Sequence, residues 1–170
     1  AGNWKMAQLG HGGMRADGVK TGDIEVDAAG AVIFDATAAT GTSNFLHLGH
    51  GGQEADGDAT GTIRVNAQQG QIQFLGDDAN EGYGMLGHGG RSSRGDYAGD
   101  IDVSAAGAIT FRSGATGARA FTQLGHGGFD ADNPNGGLQS VGNSGDITVD
   151  AGGPISFSAG VGDDSFTQLG

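Results

Sequence analysis

The chain has 170 residues, 37 of them glycine, and no cysteine, so disulfide frameworks, zinc knuckles, iron–sulfur clusters and thiol nucleophiles are all excluded. Its 20 acids against 8 bases give a formal charge of −12, which removes the basic footprint that nucleic-acid binding requires. No apolar run is long enough to insert into a bilayer as a helix.

In chain order, the first element is a short strand ending at the turn Leu-Gly-His-Gly-Gly, residues 9–13. The same turn stands at 48–52, 86–90 and 124–128, and Leu169–Gly170 opens a fifth, at intervals of 39, 38, 38 and 45 residues. After each complete turn and a short Gly-containing loop comes a second phrase. It reads GDIEVDAAGAVIF at 22–34, GTIRVNAQQGQIQF at 61–74, GDIDVSAAGAITF at 99–111 and GDITVDAGGPISF at 145–157. A period near 38 residues marks a repeat architecture, in which each unit needs its neighbours to bury its apolar face. Residues 1–170 form a single array with units at roughly 9–47, 48–85, 86–123 and 124–168 and partial units at both ends.

Apolar and polar residues alternate within the second phrase, as in strands. Ile24, Ile63, Ile101 and Ile147 share one column, and Val26, Val65, Val103 and Val149 the next. Beyond an Ala/Gly turn, Val32, Ile72, Ile109 and Ile155 are followed two residues later by Phe34, Phe74, Phe111 and Phe157. A third strand carries Met6, Phe45, Tyr83, Phe121 and Phe166 and ends on Leu9, Leu48, Leu86, Leu124 and Leu169. Like columns stack into a continuous core when strands lie ~4.8 Å apart. The expected fold is therefore all-β: a parallel β-helix of about three short strands per rung, right-handed by the crossover preference. A β-propeller, which also repeats near 40 residues, is the alternative. Between the Ile and Val columns sit Glu25, Arg64, Asp102 and Thr148, placing Arg64 between two acids. The fourth unit departs from the pattern, with sixteen residues at 129–144 where the others have eight. Four rungs span only ~20 Å, and neither end carries a polar cap. Unpaired rung edges are templates for pairing. Both ends are therefore expected to be covered, by flanking repeats or by copies of the chain stacked end to end.

The combination of Leu-Gly-His-Gly-Gly, a short loop and Gly-Asp-Ile-x-Val-x-Ala-x-Gly-x-Ile-x-Phe resembles repeats of filamentous haemagglutinin-like adhesins and related autotransporter exoproteins. The resemblance covers nearly the whole chain at the level of the repeat. It implies a right-handed β-helix, secretion from a Gram-negative cell, and an elongated fibre at the cell surface or outside it. It carries no catalytic motif and no defined receptor; host or matrix surface ligands are the expected partners beyond the stacked repeats.

Two sets of polar columns are candidates for chemistry. His11, His50, His88 and His126 share one column, but single imidazoles ~4.8 Å apart offer at most two ligands per ion. A structural turn ladder is the expected role. His47 lies outside that column, where Gln8, Met85, Gln123 and Gln168 are its equivalents, and it receives no role. Asp23, Asp100 and Asp146 align and are the candidates for Ca2+, whose oxygen-rich coordination such acids can supply. Neither an EF-hand loop nor the nonapeptide of calcium β-rolls occurs. The polar groups recur in register instead of converging as unlike groups, so no enzyme activity and no cofactor are expected. Two further readings remain open. One is a ligand- or carbohydrate-binding β-helix module, as at an adhesin tip. The other is a polysaccharide-acting β-helix enzyme, since fold alone does not exclude it.

Overall fold

A computed structural model describes residues 4–131 and 142–170. These residues form an all-β parallel solenoid. The strand pairs are parallel and follow the columns read from the sequence: Ile24, Ile63, Ile101 and Ile147 lie side by side, as do the four Val residues two positions on. Val32–Asp35, Ile72–Leu75, Ile109–Arg112 and Ile155–Ser158 make a second four-stranded sheet. The third sheet has five strands, Met6–Leu9, Phe45–Leu48, Tyr83–Leu86, Phe121–Leu124 and Phe166–Leu169. Stacked parallel strands leave no place for propeller blades.

The turn is richer than three strands. Lys20–Thr21, Ala59–Thr60, Tyr97–Ala98 and Asn143–Ser144 form a further short sheet, and Gly12–Met14 pairs with Gly51–Gln53. Sequence alternation misses these pieces because two or three residues are too few to show a period. Their backbone hydrogen bonds, and not their side chains, define them.

The two faces of the five-stranded sheet fill two separate cores. Leu46, Leu48, Leu86 and Leu124 join the Ile, Val and Phe columns in the main core. Phe45, Tyr83, Met85 and Phe121 point the other way, into a second core that Phe129 and Phe166 flank. That second core exists because the stretch between Gly-Gly and Gly-Asp-Ile folds back over the sheet. Its residues Gln53, Ala55, Ala59, Ser93 and Tyr97 are buried. As a result Phe45–Leu48, Tyr83–Leu86 and Phe121–Leu124 are buried on both faces. Of the insertion at 129–144, Phe129 begins the departure. Its ring lies 6.4 Å from Phe121 and 6.3 Å from Phe166, with the Arg91 guanidinium over it at 5.9 Å. Residues 132–141 of the insertion lie outside the described residues.

Aromatic columns set the rise. Phe34, Phe74, Phe111 and Phe157 stack at 4.7, 4.9 and 5.2 Å, within 9° of parallel. Phe45, Tyr83, Phe121 and Phe166 stack at 5.0, 4.9 and 5.0 Å, within 11° of parallel. These spacings match the distance between hydrogen-bonded strands, so each ring sits one strand from the next. Phe111 is fully buried between two rings. Phe111→Ala should therefore cost about 3–5 kcal/mol in chemical denaturation, since it opens a cavity that the stacked neighbours cannot close. A loss below about 1 kcal/mol would mean that the rings do not form a packed column.

Candidate functional site

The polar columns bind one turn to the next. The histidines stack with ring centroids 4.9, 4.9 and 5.0 Å apart. His11 N–H donates to Nδ1 of His50 at 2.9 Å, His50 N–H to Nδ1 of His88 at 3.1 Å, and His88 N–H to Nδ1 of His126 at 3.1 Å. Nδ1 is thus the acceptor, which makes Nε2 the protonated nitrogen. Nε2 of His50, His88 and His126 donates to the carbonyl oxygens of Gly22, Gly61 and Gly99 at 2.7, 2.8 and 2.8 Å. Both nitrogens of these three imidazoles are therefore occupied by backbone. Neither a lone pair for a metal nor a proton acceptor for catalysis remains on them.

Burial fixes the same protonation state. Removal from water pushes the imidazoles of His50 and His126 below the ordinary value, and that of His88 down to about 3. The neighbouring imidazoles act in the same direction on His88. Protonation would also turn Nδ1 into a donor facing the N–H donor of the preceding turn.

His47, given no role by the sequence, is fully buried in the second core. Its Nε2 donates to the Gly87 carbonyl at 2.8 Å, and burial lowers it to about 4. The column it shares offers a signal that could have revealed it. Gln8, Met85, Gln123 and Gln168 are its equivalents, and Gln123 Nε2 donates to backbone carbonyls of His126 and Gly170 at 2.8 and 3.0 Å. A column of Gln and His broken by the single Met85, with every other member able to donate to a glycine turn, reads as one recurrent backbone contact.

The aspartates work in the opposite sense along the axis. Asp23 Oδ1 accepts from Thr62 N–H at 2.8 Å, and Asp100 Oδ1 from Asp146 N–H at 3.0 Å. Asp17, Asp56, Asp58, Asp78 and Asn80 each accept in the same way from a backbone N–H in the following turn. A carboxylate that accepts from the backbone of the next turn is held there in spite of like charge above it. The Ca2+ candidates Asp23, Asp100 and Asp146 thus lie in a linear column, Asp100 one turn from Asp146 and two turns from Asp23, with Thr62 between. Among the described residues, no three His, Asp or Glu groups are placed to hold a metal ion.

Among the described residues, charged pairs are few, and in half of them both side chains are exposed. Arg64 reaches Glu25 at 3.9 Å, with both side chains more than 60% exposed, so this pair adds little. A tighter set surrounds Glu81, which takes Arg91 at 2.9 Å, Arg119 at 3.6 Å and the Ser43 hydroxyl at 3.0 Å. The Arg91 side chain in this set is only 11% exposed.

One groove crosses several turns at the corner after the Phe column. It has a volume of about 330 Å³ and is bordered by Thr37, Asp78, Arg112, Ser113, Ser158 and Val161. Arg112 and Ser158 share a column with Asp35 and Leu75, and the residue type in that column changes at every turn. No helix in the described residues is long and apolar enough to cross a membrane.

Searches against protein-family models, curated proteins and solved structures returned no match to this chain.

Proposed function

We propose that this chain is a non-catalytic structural repeat segment of a secreted, extracellular or cell-surface fibre of the adhesin kind. The observation that supports this best is the use of the recurrent polar side chains. The imidazoles and carboxylates that an enzyme would deploy toward a substrate are instead bonded to the backbone of an adjacent turn. Their chemistry is spent on holding turns in register, and the ladders run along the axis that a fibre must keep extended. The acidic exterior supports solubility and limits lateral clumping. The repeat's resemblance to haemagglutinin-like exoproteins supports the extracellular location.

An antibody against the chain, applied to intact cells of the source organism under the electron microscope, tests the location and the shape. Label along thin filaments outside the cell is expected. Label confined to the cytoplasm would overturn the proposal. The groove bordered by Arg112 and Asp78 favours a second reading, a ligand- or carbohydrate-binding module, because its lining departs from the repeat. Retention of the chain on a glycan array, lost in Arg112→Ala, is the result that reading requires.

A further inference from the structure

The corner between the Phe column and the next aromatic column changes length from turn to turn. It runs over 35–44, 75–82, 112–120 and 158–165, which is ten, eight, nine and eight residues. Loops of unequal length cannot stay in one backbone ladder, and side chains take over. Asp78 Oδ1 accepts from Ala115 N–H at 2.6 Å, and the Ser113 hydroxyl from Gly160 N–H at 3.0 Å. The small residues Gly76, Ala115, Ala159 and Gly160 leave a recess there, the groove of about 330 Å³ described above. It reaches from Thr37 through Asp78 and Arg112 to Val161, so it follows four successive turns, or three strand spacings, about 14 Å.

Its polar groups differ from those of the ladders, which are bonded to the backbone of an adjacent turn. Arg112 is exposed, and among the described residues no carboxylate oxygen lies within 4.0 Å of its guanidinium. Arg15, Arg64, Arg91, Arg94 and Arg119 each have one at 3.9 Å or closer. Asp35 stands two turns away in the same column, and the Arg112 charge is the smallest of the influences on its carboxyl. Ser158 is the register partner of Arg112, one turn on, and among the described residues its hydroxyl has no partner. Asp78 likewise keeps its Oδ2 unpaired. A guanidinium fork, a hydroxyl and a carboxylate oxygen thus border one recess without partners of their own.

The lining selects among occupants. No aromatic ring is among its described residues, so a nucleobase finds no stacking platform. The net charge of −12 works against a polyanion. Sugar hydroxyls both donate and accept, which suits a wall where a donor-only and an acceptor-only group stand side by side. The planar fork of an arginine pairs bidentately with a carboxylate. The volume is at the lower end of small-ligand sites, roughly 300–1,000 Å³.

We infer that this groove binds a short oligosaccharide containing one carboxylate-bearing sugar, a hexuronic or a sialic acid. Arg112 holds the carboxylate, Asp78 and Ser158 take neighbouring hydroxyls, and Val161, 88% exposed at the border, meets the apolar face of a ring.

This rests on the second reading above, that the groove takes a ligand, and names the chemistry of that ligand. The purified chain is applied to an array of hexuronic-acid and sialic-acid oligosaccharides, their carboxyl-reduced counterparts, and sulfated neutral saccharides. Retention is expected on one of the two acidic sets, which tells the two sources of the carboxylate apart. It should be weaker by about tenfold or more on the carboxyl-reduced counterparts. Arg112→Lys, which keeps the charge and loses the fork, should weaken retention by a similar factor. Ala115→Trp, which fills the groove from an exposed position, should abolish it. Both variants should keep the far-ultraviolet circular dichroism of the parent chain.

Equal retention on acidic and carboxyl-reduced glycans, still lost in Arg112→Ala, would overturn the carboxylate assignment and leave the second reading standing. Retention on the sulfated saccharides alone would overturn it in the same way. Retention unchanged in Ala115→Trp would put binding outside the groove and overturn the inference. No retention on any glycan would overturn the inference and the second reading together.

Discussion

Lowering the pH from 7 to 4 is expected to unfold the solenoid cooperatively, with the largest loss of stability between pH 6.5 and pH 4. Burial lowers His47 to about 4 and His88 to about 3, and it lowers His50 and His126 as well, all from 6.5. A histidine held neutral in the folded state contributes stability that is fully present above 6.5. As the pH falls, the unfolded chain takes up the proton first, and that contribution is lost until the folded-state value is reached. Each such group contributes a slope of up to about 1.4 kcal/mol per pH unit. Several titrating together remove a sum on the order of the stability of a small domain.

Asp77 acts in the other direction. Burial raises its carboxyl above 3.8, so its contribution is present below 3.8 and lost as the pH rises through the folded-state value. One carboxyl against four imidazoles leaves the net sign unchanged. Urea denaturation at stepwise pH measures the slope. His47→Gln, which copies Gln8, Gln123 and Gln168 at that column, should flatten it by up to about 1.4 kcal/mol per pH unit. A stability that does not change between pH 7 and pH 4 would show that these imidazoles are not held neutral.

A single methyl group at Gly89 should be almost as damaging. Gly89 has φ +118, a region that L side chains rarely adopt, and a Cβ there would lie 2.1 Å from the Gly127 carbonyl oxygen. That oxygen belongs to the backbone of the adjacent turn and cannot move without opening the ladder. The conformational strain and the overlap together should cost about 3 kcal/mol or more. Gly30 is the internal control, with φ outside that region and nothing within 4 Å of a Cβ. Gly30→Ala should be neutral or stabilising by up to about 1 kcal/mol. Equal melting temperatures for Gly89→Ala and the parent chain would mean that the turns are not stacked at backbone contact.

The columns of Ile, Val and Phe were legible because a repeat shows the same position several times over. Chance apolar residues do not recur in phase, whereas Ile24, Ile63, Ile101 and Ile147 do. The paired registers follow those columns residue for residue. The second core was not legible, because the segment that closes it carries no alternating pattern. Gln53, Ser93 and Tyr97 are unlike one another in size and polarity, yet all lie inside.

Corners were hidden as well. Ser43, Glu81, Arg119 and Asp164 have φ between 56° and 66°, and Arg15, Glu54, Ser92 and Asp130 between 51° and 56°. These two left-handed columns carry no glycine, so composition gives no sign of them. In one of them Arg15 pairs with Glu54 at 2.8 Å, on the exposed surface. The histidine ladder was visible as a column, but its direction was not. Which nitrogen accepts from which turn depends on the backbone path, and that path alone shows that His50, His88 and His126 have nothing left to offer a ligand.

X-ray diffraction from an oriented film of the purified chain tests the stacked solenoid and the proposed fibre role together. Strands that pair along the long axis place the ~4.8 Å reflection on the meridian. A ~4.8 Å reflection on the equator, or none, would mean that the strands do not stack along the fibre, and the structural role argued from that stacking would fall with it.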